Sequence, residues 1–231
     1  IPSHSRTTFR NFNNQWFYTS DSEITMTLIS VSNNALSSIT ALPASIPTGA
    51  LTLIKSITAS ASASISFVDG TDGVVLDGTY SSYVFSFNNM HPETDNTNLT
   101  FNMSTDSGSN WNVTKTTTAF YSVHLESDAG QELDYLTARD LAQSTSDQQI
   151  MFDMGNDADQ SWSGSLQIFS PSSTVFVKHF IARTIGSVAT DRATDFYIAG
   201  YGNTVSAVNG IIFRMSSGNI DDGIIKLYGV S

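Results

Sequence analysis

The chain of 231 residues contains no cysteine. Disulfides, thiolate metal sites and cysteine nucleophiles are therefore excluded. A chain of this kind that had to persist outside a cell would need another source of robustness, such as burial between subunits. Charge is also scarce. Charged residues make up 13%, about half the usual globular share. The balance is acidic, with 21 Asp and Glu against 10 Lys and Arg, a net charge of −11. Phosphate backbones and anionic lipid surfaces need a basic face, and no local basic cluster relieves this deficit. Neither nucleic acid nor membrane insertion is expected. No apolar run approaches the ~18 residues of a membrane-spanning helix, and the first ten residues hold no signal-peptide core. Ile1 is not a start methionine, which reads as processing or as a fragment of a longer polypeptide.

Short hydroxyl side chains fill the place of the missing charge: 35 Ser and 26 Thr, with abundant Asn. These side chains compete with helix hydrogen bonding and suit sheets and turns. From Leu51 onward, short runs of strand composition recur over 51–58, 63–68, 83–88, 98–103, 119–125, 148–153, 164–170, 174–182, 194–200, 210–216 and 223–229. Turn clusters such as Asp69-Gly-Thr-Asp-Gly73 and Ser217-Gly-Asn219 separate them. Alternation in Val84-Phe85-Ser86-Phe87 fits sheets with one buried face. The pattern predicts an all-β fold, an antiparallel β-sandwich of jelly-roll type with an N-terminal extension. One helix candidate remains, Gln131 to Ser144, where Leu133, Leu136 and Leu141 are loosely helical in spacing. Residues 24–31 alternate as a further strand.

The expected organisation is an arm and linker over residues 1–48 and a sandwich module over 49–231. Phe9, Phe12, Trp16 and Phe17 stand in the arm beside Arg6 and Arg10. Aromatics and arginine favour interfaces, so these residues read either as a strand packed on the main domain or as an attachment arm for the particle or a neighbouring subunit.

Catalytic signatures are weak. No Gly-x-Ser-x-Gly elbow occurs, and His4, His91, His124 and His179 are far apart in sequence. The carboxylate pairs Glu126 with Asp128 and Asp157 with Asp159 sit in hydrophilic, turn-like segments, where Asp serves local backbone hydrogen bonds. Asn156-Asp-Ala-Asp159 and Asp69-Gly-Thr-Asp72 have calcium-like spacing but match no EF-hand. No enzyme, cofactor or metal is expected. Trp111, Trp162, Tyr121, Tyr197 and Tyr201 are candidates for a glycan-stacking platform, Trp111 and Trp162 foremost, with core aromatics as the competing reading. Asn98, Asn102 and Asn112 head Asn-x-Ser/Thr sequons.

An ordered set of segments carries a resemblance. Ala50-Leu-Thr-Leu-Ile-Lys-Ser-Ile-Thr-Ala-Ser60, Tyr80-Ser-Ser-Tyr-Val-Phe-Ser-Phe-Asn-Asn-Met-His-Pro92, Tyr121-Ser-Val-His-Leu-Glu-Ser-Asp128, Leu166-Gln-Ile-Phe-Ser-Pro-Ser-Ser-Thr174, Phe176-Val-Lys-His-Phe180 and Phe213-Arg-Met-Ser-Ser-Gly-Asn-Ile220 resemble a module of marine bacteriophage virion proteins, often tail fibres. The resemblance covers about residues 49–231. It implies a non-enzymatic virion component on the particle surface, a tail fibre or tail-spike part contacting the host. A capsid decoration or head-fibre protein is the alternative, and a carbohydrate-binding module a further one. The implied partners are other copies of the chain, as a homotrimer, other tail or capsid proteins, and a host surface glycan.

Overall fold

The computed structural model describes residues 8–12, 15–19, 51–188 and 190–231. The chain divides into two units, residues 1–46 and 47–231. In the first unit, β1 (Thr8–Phe12) and β2 (Gln15–Thr19) form an antiparallel hairpin with Phe9 opposite Tyr18 and Arg10 opposite Phe17. The expected strand over 24–31 lies outside the described residues.

The second unit is all-β. Its strands are β3 (Leu51–Thr58), β4 (Ile65–Val68), β5 (Ser82–Pro92), β6 (Thr97–Ser104), β7 (Lys115–Leu125), β8 (Gln131–Tyr135), β9 (Gln148–Met154), β10 (Trp162–Phe169), β11 (Lys178–Val188), β12 (Arg192–Gly202), β13 (Gly210–Met215) and β14 (Ile220–Val230). All pairings are antiparallel. Hydrogen bonding joins the strands into one continuous sheet, which folds on itself into two layers. The larger layer runs β3-β14-β5-β10-β11-β12-β7-β8, and the smaller runs β9-β6-β13-β4. The corner between them is a single register pair, Val188 with Met154.

Aromatic side chains cross the interior from one layer to the other. Phe213 on β13 meets Phe85 and Phe87 on β5, each at 5.2 Å. Phe101 on β6 meets Phe180 on β11 at 5.0 Å, and Phe152 on β9 meets Phe196 on β12 at 4.7 Å. Edge-to-face packing of this kind adds about 0.5–1.5 kcal/mol per pair beyond the area each ring buries. Period-two alternation follows directly: on β11, Phe180, Ala182 and Thr184 are buried while His179, Ile181 and Arg183 are exposed.

Two glycines shape the larger layer. Gly186 lies directly opposite Trp162, and a Cβ there would enter the indole ring, so the absent side chain makes room for the tryptophan. Gly164 has φ +155° at the irregular register of β10 against β5, with the Arg183 carbonyl and Thr184 too close for any side chain.

The candidate helix over 131–144 is overturned. Gln131–Tyr135 is the edge strand β8, hydrogen-bonded to β7, and the rest forms turns, with no helix among the described residues. The leucine spacing misled because β8 covers nothing: Leu133 is 74% exposed, whereas a helix would have buried it.

Candidate functional site

The larger layer turns one face inward and the other to solvent. Among the described residues, every exposed large apolar side chain that lies on a strand belongs to this layer. Phe120, Leu133, Phe169, Ile181 and Ile185 stand on the outward rows, Ile181 at 49% and Ile185 at 56% exposure. The smaller layer shows none. Such concentration differs from the scattered apolar residues normal on a monomer surface.

The register shows how this face is built. Ser86, Ser165, Arg183, Tyr197, Phe120 and Tyr135 follow one another across β5, β10, β11, β12, β7 and β8. Tyr197 and Phe120 stack with centroids 4.6 Å apart and planes 3° from parallel. The Arg183 guanidinium lies 4.9 Å from the Tyr197 ring centroid, on the side of the neighbouring strand. Arg183 also donates from Nε and Nη2 to the Asp195 carboxylate at 3.1 and 2.7 Å, and Tyr197 Oη donates to the same group at 2.9 Å. The hydrogen bond from Arg183, with that from Tyr197, holds the Asp195 carboxyl below the usual carboxylate range despite partial desolvation. A groove of about 490 Å³ runs beside this stack, between Val84, Gln167, Ile181 and Ala199.

Two consequences follow. Both faces of Tyr197 are covered, one by Arg183 and one by Phe120, so the stack offers ring edges rather than an open platform. Charge is sparse at its centre as well: on the outward rows from β10 to β7, Arg183 and Asp195 cancel, while β14 beside them carries Lys226 and, at its start, the exposed Asp221 and Asp222.

The candidate residues fall in separate places. Trp162 is 1% exposed, pointing inward against Phe152, which corrects its reading as a glycan contact: a sugar cannot reach it. Trp111 is partly buried, its ring lying over Gly108 and Gly210 at the opposite, smaller layer. Phe9, Arg10 and Phe12 lie on β1, Trp16 and Phe17 on β2, while Arg6 lies outside the described residues, as does His4. His91 contacts Asp221 at 3.4 Å beside an open polar cleft of about 590 Å³, His124 contacts Asp128 at 3.2 Å in a turn, and His179 leans on Tyr201. Asp69 caps its own turn, its carboxylate accepting from Leu76 N–H at 2.8 Å, and the Asp157 backbone carbonyl accepts from Gln160 N–H at 2.9 Å. Among the described residues, no three His, Asp or Glu side chains converge as a metal site would require.

A second cluster was missed by sequence reasoning, since its members are remote in sequence and belong to common residue types. Lys115 at the start of β7 and Asn102 in β6 are both fully buried. Lys115 Nζ donates to Asn102 Oδ1 at 2.6 Å and to the Val113 carbonyl at 2.9 Å. Asn102 Oδ1 also accepts from Met103 N–H at 2.9 Å, and its Nδ2 donates to Asp147 Oδ1 at 2.8 Å and to the Thr145 carbonyl at 3.0 Å. Asp147 is clamped from its other side by Arg214. Burial pushes the Lys115 amine down to about 8, only partly opposed by Asp147. Burial would raise the Asp147 carboxyl, but hydrogen bonds from Arg214 and Asn102 outweigh it and hold the group below its usual value. The Asn102 sequon is closed to glycosylation by this burial.

No protein-family model, curated protein or solved structure matches the chain.

Proposed function

We propose that this chain is a non-enzymatic bacteriophage virion protein, a tail fibre or tail-spike component displayed on the particle as a homo-oligomer, with the outward face of the larger layer as its subunit contact. The observation that carries this reading is the balanced, apolar centre of that face, over β10 to β7, in a chain of net charge −11. Acidic surfaces of two copies repel one another; a face whose Asp195 is already neutralised by Arg183 does not.

The dimensions suit the role. The steps between adjacent strands, at about 4.8 Å each, span roughly 34 Å from β3 to β8. The rows from Ser163 to Phe169 add about 20 Å, giving on the order of 700 Å², close to the ~800 Å² per partner of a standard stable interface. Low charge density makes such association weakly dependent on ionic strength, as a particle exposed to changing salt requires. The resemblance over residues 49–231 supplies the virion setting, and the trimer is taken from analogy with fibres. Host contact then falls to the loops between strands rather than to Trp111 or Trp162.

Quantitative mass spectrometry of purified particles tests the reading. A handful of copies per particle is expected. A copy number near that of the major capsid protein would replace the tail assignment with capsid decoration, and absence from particles would end both.

A further inference from the structure

Lys115, Asn102 and Asp147 are arranged for chemistry on each other. The amine and the amide share a buried site at 2.6 Å, the amide carbonyl is polarised by the Met103 N–H, and the carboxylate holds the amide nitrogen. From this geometry we infer that Lys115 and Asn102 join in an intramolecular isopeptide bond, formed without an enzyme and with Asp147 holding the departing amide nitrogen.

The step balances. The neutral Lys115 Nζ attacks Asn102 Cγ, and the charge that develops on Oδ1 faces the Met103 N–H. Within the tetrahedral adduct the proton released by Nζ moves to Nδ2, and the Asp147 carboxylate, already in contact with Nδ2, holds that nitrogen and stabilises the charge it gains. The Cγ–Nδ2 bond breaks, the carbonyl reforms, and ammonia leaves. No oxidant and no cofactor enters. The depressed lysine supplies a free amine near neutral pH, where an ordinary lysine stays almost wholly protonated. Fixed geometry in a site closed to water supplies the remainder, since well-oriented intramolecular reactions reach effective molarities of about 10⁵–10⁸ M.

The bond would tie β6 of the smaller layer to β7 of the larger one, closing a loop between positions 13 apart in sequence. A chain without cysteine would thereby hold a covalent cross-tie between its two layers, restricting the unfolded chain as a disulfide does.

Intact-mass measurement of the denatured full chain tests this. The expected mass is that of the sequence less one ammonia, with digestion releasing a branched peptide that contains Asn102 and Lys115. Lys115→Met and Asp147→Ala should both return the full sequence mass. If either variant fails to fold, the wild-type mass and peptide map decide alone. Full sequence mass in wild type after prolonged incubation at about pH 9, where the Lys115 amine is largely free, would overturn the inference. So would an ammonia loss that maps anywhere but the Asn102–Lys115 pair.

Discussion

Phe213 on β13 packs edge to face on Phe85 of β5, with ring centroids 5.2 Å apart and both side chains fully buried. Phe67 completes the cluster, 5.2 Å from Phe85 and 6.2 Å from Phe213. This contact presses the smaller layer onto the larger far from the Val188–Met154 corner, so the sandwich is held at its centre by packing and at one side by backbone pairing. Phe213→Ala should destabilise the second unit by about 3–5 kcal/mol, the usual cost of emptying a buried aromatic site. Ile185→Ala, on the exposed face, should stay within about 0.5 kcal/mol at protein concentrations too low for association. Urea unfolding of the two variants checks the contrast.

Gly186→Ala should displace the Trp162 indole, because the added methyl occupies the position of that ring. Overpacking of a filled interior costs about 1–3 kcal/mol. The displacement should appear as a shift of tryptophan emission to longer wavelength, accompanied by a lower Tm. Unchanged emission would show that the indole does not depend on the glycine.

Much of the sandwich was legible in the sequence. Runs such as 51–58 and 210–216 match β3 and β13 closely, because each is rich in β-branched and other apolar strand formers and is bounded by turn formers. Other runs lengthened: 83–88 became Ser82–Pro92, where Asn89, at φ +50°, lets the strand continue past an irregularity that a regular alternation would not contain. β8 was not legible, since its burial is set by neither face and its leucine spacing imitates a helix. Strand order was not legible either. That β14 lies between β3 and β5 depends on pairings across most of the chain, which local pattern does not encode. The candidate site was read least well. Tryptophans suggested a surface platform, yet Trp162 went inward once Gly186 stood opposite it, while the contact face arose from isoleucines and a Tyr–Phe stack that look ordinary in sequence.

Lys178 is fully buried and donates to the carbonyls of Phe176 and Thr204 at 2.7 and 3.2 Å. Burial pushes its pKa below the ordinary 10.5. The unfolded chain therefore binds this proton more tightly, and stability should rise as pH climbs from the lowered folded value towards 10.5, staying flat below it. Lys178→Met should reduce that rise, the remainder coming from Lys115 wherever its amine is free, since burial lowers it to about 8. Unfolding free energies measured between pH 7 and about 10 test it; above pH 10 the effect is opposed, since Tyr83 and Tyr121 are pushed up to about 12 by burial and resist ionising in the folded state.

Asp147, held by Arg214 at the end of the buried Lys115 cluster, acts at the other extreme of pH. Its lowered carboxyl contributes stability that is present above its unfolded value near 3.8 and is lost as pH falls through the folded one. Arg214→Met removes the hydrogen bonds that oppose desolvation, so the acid-unfolding midpoint should move to higher pH. An unchanged midpoint would mean that this ion pair does not govern acid stability.

Sedimentation velocity of the full chain, wild type beside an Ile181→Glu, Ile185→Glu double variant, tests the central claim. Both side chains are exposed, so the variant should fold with its Tm nearly unchanged. Wild type should sediment as an oligomer and the variant as a monomer, because each copy would bring two new carboxylates to the centre of a contact where the only charges, Arg183 and Asp195, cancel. A monomeric wild type at micromolar concentration, or a variant that associates as strongly as wild type, would contradict the account.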